Sequence, residues 1–171
     1  MPTLLPQLSV HITTDSAGTS GFTSPTPVIP PPAPPNPIFQ GNYIYCTPPP
    51  LSLENDADLV YYHTTTSNTP LPSFPAAGGT VCTVLDFPPS PEGKGGMMHR
   101  TKTLDYIFIL EGELEFSLDS GEKRVFKRGD IVVQRSAMHA WRNVSATEGA
   151  RMAAVVLGVE GAVEGGVEVG K

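Results

Sequence analysis

Between Gly79 and Glu160 turn signals recur at close intervals, and this excludes most folds for that part of the chain. The β-prone runs VCTVLDF, LDYIFIL, ELEFSL, KRVFK, DIVVQ and MAAVVL are divided by Glu111-Gly112, Asp119-Ser120-Gly121 and Arg128-Gly129-Asp130. Short strands at this spacing predict an antiparallel sandwich or barrel, and nothing here reads as a long helix. In ELEFSL, Leu114, Phe116 and Leu118 alternate with Glu113, Glu115 and Ser117, so one face is to be buried and the other wet. DSGE predicts a hairpin connection in which Gly121 takes positive φ.

The flanks have a different texture. Residues 1–78 are rich in Pro, Ser and Thr, and TPVIPPPAPPNPIF cannot sustain a helix or a central strand. Proline lacks the amide donor and restricts the residue before it. This run is expected as extended, polyproline-like chain serving as a linker or insertion. An SH3-type ligand is the sharper alternative, but no basic residue flanks the prolines. Two pieces around it predict strands, Leu8–Thr13 and Tyr43–Cys46. Residues 161–171, the glycine-rich end, predict a flexible tail, because glycines and valines oppose a helix there. The chain thus divides into an N-terminal extension over 1–78, a barrel over 79–160 and a tail.

The 171 residues fit one domain, long enough to bury a core without staples. A formal charge of -6 gives no electrostatic support for a nucleic-acid partner. Cys46 and Cys82 lack metal-type spacing and read as reduced thiols. The start shows neither a basic leader nor a long apolar run, and no stretch approaches the roughly 20 apolar residues of a membrane span. A soluble cytoplasmic protein with no membrane partner is the expectation.

Chemistry requires polar side chains brought together from separate strands. Of four histidines, His99 and His139 lie in the predicted barrel, forty residues apart. Asp105 interrupts an otherwise apolar strand, and a carboxylate is costly to bury unless paired or coordinated. Arg100 and Arg135 read either as grips for a substrate carboxylate or as surface charge. Trp141, two beyond His139, shares its strand face and either walls a pocket or fills the core. Tyr106 should point the other way, toward packing or a dimer contact, and Asn143 fixes the strand. The glycines are turn residues, with no phosphate-loop pattern among them.

The segment resembles the two cupin motifs. His99, Thr101, Asp105 and Gly112 meet the first, with Asp105 in place of the usual glutamate and Thr101 in place of the second histidine. Gly129, His139 and Asn143 meet the second, across a loop one residue shorter and without its proline. MHRTKTLDYIFILEGELEFSLDSGE, GDIVVQR and HAWRN are similar to small cupins of bacteria and of fungal natural-product gene clusters. Ser136 and Ala137 depart from that group, which commonly has Gly-Thr there. The resemblance implies an all-β fold, a single jelly-roll-like cupin barrel with a proline-rich N-terminal extension. It also implies a homodimer with crossing N-terminal strands.

A full cupin site holds a divalent metal with three histidines and a carboxylate. Here His99, Asp105 and His139 remain, a set for one ion of iron, manganese, nickel or zinc, or for none. Without a metal the same three groups form an acid–base set, with Arg100, Thr101, Arg135 and Trp141 contacting a small-molecule substrate. Two enzyme readings follow, both on a small organic acid or polyketide-like intermediate of secondary metabolism. One is metal-assisted oxidoreductase chemistry and the other a metal-independent decarboxylase or dehydratase. A non-catalytic small-molecule binder is the third reading.

Overall fold

The structure is a computed structural model describing residues 5–33, 36, 38–68 and 74–161. Ten strands occur in it: β1 (Thr13–Ser16), β2 (Thr19–Phe22), β3 (Gln40–Thr47), β4 (Thr80–Phe87), β5 (Thr103–Glu111), β6 (Glu113–Leu118), β7 (Lys123–Lys127), β8 (Ile131–Arg135), β9 (His139–Asn143) and β10 (Ala150–Gly158). A single helix, α1 (Ala57–Thr66), follows a 3-10 turn at Glu54–Asp56. One antiparallel sheet runs β3-β4-β10-β5-β8, a second runs β7-β6-β9, and β1-β2 is a separate hairpin. The two larger sheets form the jelly-roll-like cupin barrel that the turn spacing and motifs imply.

Alternation decides what enters the barrel. On β5, Thr103, Asp105, Ile107 and Ile109 are buried, while Tyr106, Phe108 and Leu110 are exposed on the other face. On β6 and β9 the inward set is Leu114 and Phe116 against Trp141 and Asn143. Of these, Ile107, Ile109, Leu114, Phe116 and Trp141 join Phe87, Met152, Ala154 and Val156 in one apolar core. Burying a side chain of this size contributes about 1.5–3 kcal/mol.

Upstream of Gly79 the outcome is mixed. Tyr43–Cys46 lies within β3, which pairs with β4 and forms an edge of the large sheet. Leu8–Thr13 is not a strand. It makes one bridge, Val10 to Val28, and regular pairing begins only at Thr13, where β2 supplies a partner. That bridge lies within the chain itself. The helix α1 was not expected in so proline-rich a segment; it packs on β3 through Tyr62 against Tyr45, ring centres 4.7 Å apart, with the Tyr45 hydroxyl donating to Asp58 at 2.7 Å. Part of the proline run lies along β3, where Ala33 N–H donates to Gly41 O and Tyr43 N–H to Pro31 O. The expected tail, apart from Gly161, lies outside the described residues. Among the described residues no helix is long and apolar enough to cross a membrane.

Gly112 turns β5 into β6 at φ 68°, and a Cβ there would meet Gly149 O and Ala150 Cβ at 2.8 Å. Gly121 also has positive φ, 89°, but open space around it. Gly112→Ala should therefore cost about 3 kcal/mol, left-handed strain plus crowding, and Gly121→Ala only about 1 kcal/mol. Urea unfolding of both variants checks the order, and equal losses would refute it.

Candidate functional site

Residues 95–99 run beside β9 as an added lane of the small sheet. Gly96 N–H donates to Trp141 O at 2.9 Å, and His99 and His139 exchange both backbone bonds at 2.9 and 2.8 Å. Residues so paired carry their side chains on the same face. The two imidazoles accordingly meet with ring centres 4.5 Å apart, and Phe116 stacks on His139 at 5.3 Å.

Each ring is oriented by its own backbone. His139 Nδ1 lies 2.8 Å from Ala137 O, and His99 Nδ1 lies 2.9 Å from Met97 O. A carbonyl only accepts, so Nδ1 carries the hydrogen and Nε2 of the neutral ring keeps its lone pair. Burial pushes His139 down to about 4, a shift that the Ala137 carbonyl opposes and the neighbouring His99 reinforces. His139 is a neutral base at neutral pH.

Asp105 does not join this pair directly. Its Oδ2 accepts a hydrogen bond from Gln134 Nε2 at 2.9 Å, and its Oδ1 is buried with no partner. The residue is 7% exposed. Burial raises its carboxyl to about 6, against the lowering effect of Thr103 and Gln134. Thr101 and Thr103 share a 2.7 Å hydroxyl contact, and Gln134 Nε2 also reaches Thr101 Oγ1 at 3.1 Å. Asp105 stands on β5 of the large sheet and His139 on β9 of the small one, so the carboxyl and the imidazole occupy different walls of the barrel.

The remaining candidates divide. Trp141 is buried on the inner face, 4.5 Å from Phe116. Arg100 donates from Nη1 to Ser136 O at 2.8 Å, and its Nε is buried without a partner; it braces the loop before His139. Arg135 is exposed on the outer face of β8, so the substrate grip expected of it is not placed in the barrel. Its neighbour Gln134 takes the inward position instead. Sequence reasoning passed over Gln134, although a polar amide alternating with Val132 on a barrel strand is the same signal that singled out Asp105.

Ser136 sits at φ 49°, left-handed backbone that favours the glycine common in the similar cupins. Its Oγ donates to Thr101 O at 2.7 Å and its N–H to Thr103 O at 2.9 Å. These bonds offset the strain and keep the loop in place. Asn143 is tied down on both ends of its amide, donating to Phe87, Pro88 and Glu148 carbonyls and accepting from Ser145 N–H.

The expected metal set does not assemble. Two imidazoles with Nδ1 held by carbonyls resemble metal ligands in orientation. Yet Asp105 is engaged with Gln134, and among the described residues no group of three His, Cys, Asp or Glu side chains could hold one ion. The residues do not fit a three-ligand centre. A groove of about 330 Å³ lies on the other side of the small sheet, between Glu115, Ser117, Arg142 and the loop at Gly93–Met98. Its Arg142 and Glu115 charges are already paired at 2.8 Å.

Two buried groups with opposite shifts give the stability a defined pH dependence. Between pH 6.5 and about 4 the unfolded chain protonates His139 and the fold does not, so this group makes stability rise with pH. Between about 6 and 3.8 the fold keeps a proton on Asp105 that the unfolded chain releases, so this group makes stability fall as pH rises. The two slopes oppose each other. Asp105→Asn removes the second, and its stability should climb from pH 4 to 6 more steeply than wild type by up to about 1.4 kcal/mol per pH unit. Parallel denaturation curves for the two proteins across this range would refute the assignment.

No family model matches the chain. Curated relatives do. Phomopsin biosynthesis cluster protein C' of Diaporthe leptostromiformis is 42% identical over 126 residues, 71% of this chain and 64% of the relative. Oryzines biosynthesis cluster protein J of Aspergillus oryzae is 41% identical over 122 residues, 71% of this chain and 65% of the relative. The cupin-domain-containing oxidoreductase virC of Hypocrea virens is 37% identical over 105 residues, 61% of this chain and 50% of the relative. The chain thus spans 64–65% of the first two and half of the third. Among solved structures, an RmlC-like cupin from Shewanella frigidimarina has a TM-score of 0.46 at 11% identity, over 77% of this chain and 86% of its own. Barrel topology and the motif residues make the chain a cupin, similar in sequence to proteins of fungal biosynthesis clusters.

Proposed function

We propose that the barrel is an enzyme active site for acid–base chemistry on a small organic acid or polyketide-like intermediate of secondary metabolism. The observation that carries this reading is His139, neutral, buried and held with Nε2 as its free nitrogen. In the proposed reaction His139 Nε2 takes a proton from substrate carbon or oxygen, and Asp105 on the other wall returns one from Oδ1. Thr101 and Trp141 contact the substrate, the first by its hydroxyl and the second as apolar wall. A base and an acid on two walls suit decarboxylation, dehydration or isomerisation. Buried catalytic groups shifted in opposite directions are a recurrent means of assigning these two roles.

A second reading is oxidoreductase chemistry, favoured by the names of the relatives at 36–37% identity. Product mass separates the two. The purified protein should convert the intermediate that accumulates when its gene is deleted with loss of water, loss of carbon dioxide or no mass change. Turnover should survive EDTA, and His139→Ala should lower kcat at least about 100-fold. A product differing by two hydrogens or by oxygen, with activity lost in EDTA, would establish the redox reading instead.

We also propose a homodimer seated on the outer face of β5 and β8. Tyr106, Phe108 and Leu110 are exposed there beside Ile131 and Val133, which are 62% and 53% exposed. The strand register sets Tyr106 against Val133 and Phe108 against Ile131, so these side chains form one patch. Light scattering at micromolar concentration should give twice the chain mass, and Ile131→Lys with Val133→Lys should halve it. A monomeric wild type would overturn the dimer.

A further inference from the structure

Gln134 is 2% exposed, and both its amide nitrogen and its carbonyl oxygen have partners. Its Oε1 accepts Ala137 N–H at 2.8 Å, and its Nε2 donates to Asp105 Oδ2 at 2.9 Å and Thr101 Oγ1 at 3.1 Å. The orientation of the amide is not arbitrary. A backbone N–H can only donate, so the atom facing Ala137 is the oxygen and the atom facing Asp105 is the nitrogen.

Two consequences follow. Asp105 Oδ2 receives a donor, so when the carboxyl is protonated the hydrogen lies on Oδ1, the buried oxygen with no protein partner. Ala137, fixed through its N–H, is also the residue whose carbonyl accepts His139 Nδ1–H. One amide therefore reaches both the carboxyl on β5 and the loop that orients the imidazole on β9. We infer that Gln134 is a positioning residue of the site, fixing which oxygen of Asp105 and which nitrogen of His139 are available to a ligand. This rests on the acid–base reading for its catalytic meaning, but not for its geometry.

Two variants separate the two arms. Gln134→Glu retains an oxygen for Ala137 N–H and replaces the donor that faces Asp105. Gln134→Leu, of similar size, removes both. Nitrogen-15 shifts of His139, measured without substrate, should show a single Nδ1–H tautomer in wild type and in Gln134→Glu, and a mixture of tautomers in Gln134→Leu. With the accumulated intermediate as substrate, kcat should fall at least tenfold in Gln134→Glu while KM stays within threefold. A folded Gln134→Leu with the wild-type tautomer and unchanged kcat overturns the positioning role. Should Gln134→Leu fail to fold, an unchanged kcat in Gln134→Glu overturns the Asp105 arm, and loss of the Nδ1–H tautomer in that variant overturns the Ala137 arm. If the tautomer responds as expected but His139→Ala turns over normally, the positioning stands and the acid–base reading falls.

Discussion

Two backbone hydrogen bonds, His99 N–H to His139 O and His139 N–H to His99 O, hold together the part of this barrel that carries the two histidines. They add residues 95–99 to an edge that β9 would otherwise leave open, and they bring two imidazoles into contact that have no intrinsic reason to attract. The glycines upstream make this lane possible. A Cβ at Gly95 would stand 3.3 Å from Arg142 Cβ, and one at Gly96 3.4 Å from Trp141 O, so the chain lies close over β9 because it carries no side chains there. The proximity of the rings is thus a product of register, and it helps hold His139 neutral, since a proton on one ring disfavours a proton on the other.

The register also sorts the interior. One region is apolar, built from Ile107, Ile109, Leu114 and Met152. The other gathers Thr101, Thr103, Asp105, Gln134 and Ser136, all buried. Burying so many polar groups is unfavourable unless each finds a partner, and here nearly all do. Asp105 Oδ1 is the exception. An unsatisfied buried acceptor costs about 1–3 kcal/mol, and a fold dense in satisfied groups retains one where a proton or ligand completes it. The contrast with Asn143 is direct: its amide is occupied on both sides by loop backbone and has nothing left for a ligand.

What the sequence made legible was whatever depends on alternation and turns. ELEFSL and LDYIFIL announced their inward faces, and the motif positions of His99 and His139 anticipated a shared location. Three things were not legible. The helix α1 begins in ADLVYYHTTT, where β-branched and aromatic residues give no amphipathic pattern, and it forms by packing on β3. Leu8–Thr13 has strand composition, but a strand exists only where a neighbour completes its hydrogen bonds, and Val28 supplies a single bridge. The third is Asp105. Motif spacing carried it toward the histidines as a metal ligand, whereas its partner is Gln134, at β5–β8 register with it. Conspicuous charge drew the reading to Arg135, one residue along, and a one-residue step reverses the face of a strand.

That same reversal ties the site to the outside of the molecule. The residues that alternate with Asp105 and Gln134 on β5 and β8 are Tyr106, Phe108, Ile131 and Val133, so the wall of the site and the exposed apolar face are two sides of one strand pair. The opposite edge of the large sheet is different. There Pro31–Ala33 lies along β3, and prolines, having no amide hydrogen, cannot template a further strand. One edge is closed by composition, while the other presents apolar side chains to solvent. A second copy seated on that face would bury the backs of the strands that hold Asp105 and Gln134. Strands so backed resist twisting, and the Gln134 amide depends on their register to reach both Asp105 and the Ala137 loop. Assembly and the geometry of the acid would then be linked through β5 and β8, without any residue of the partner entering the site.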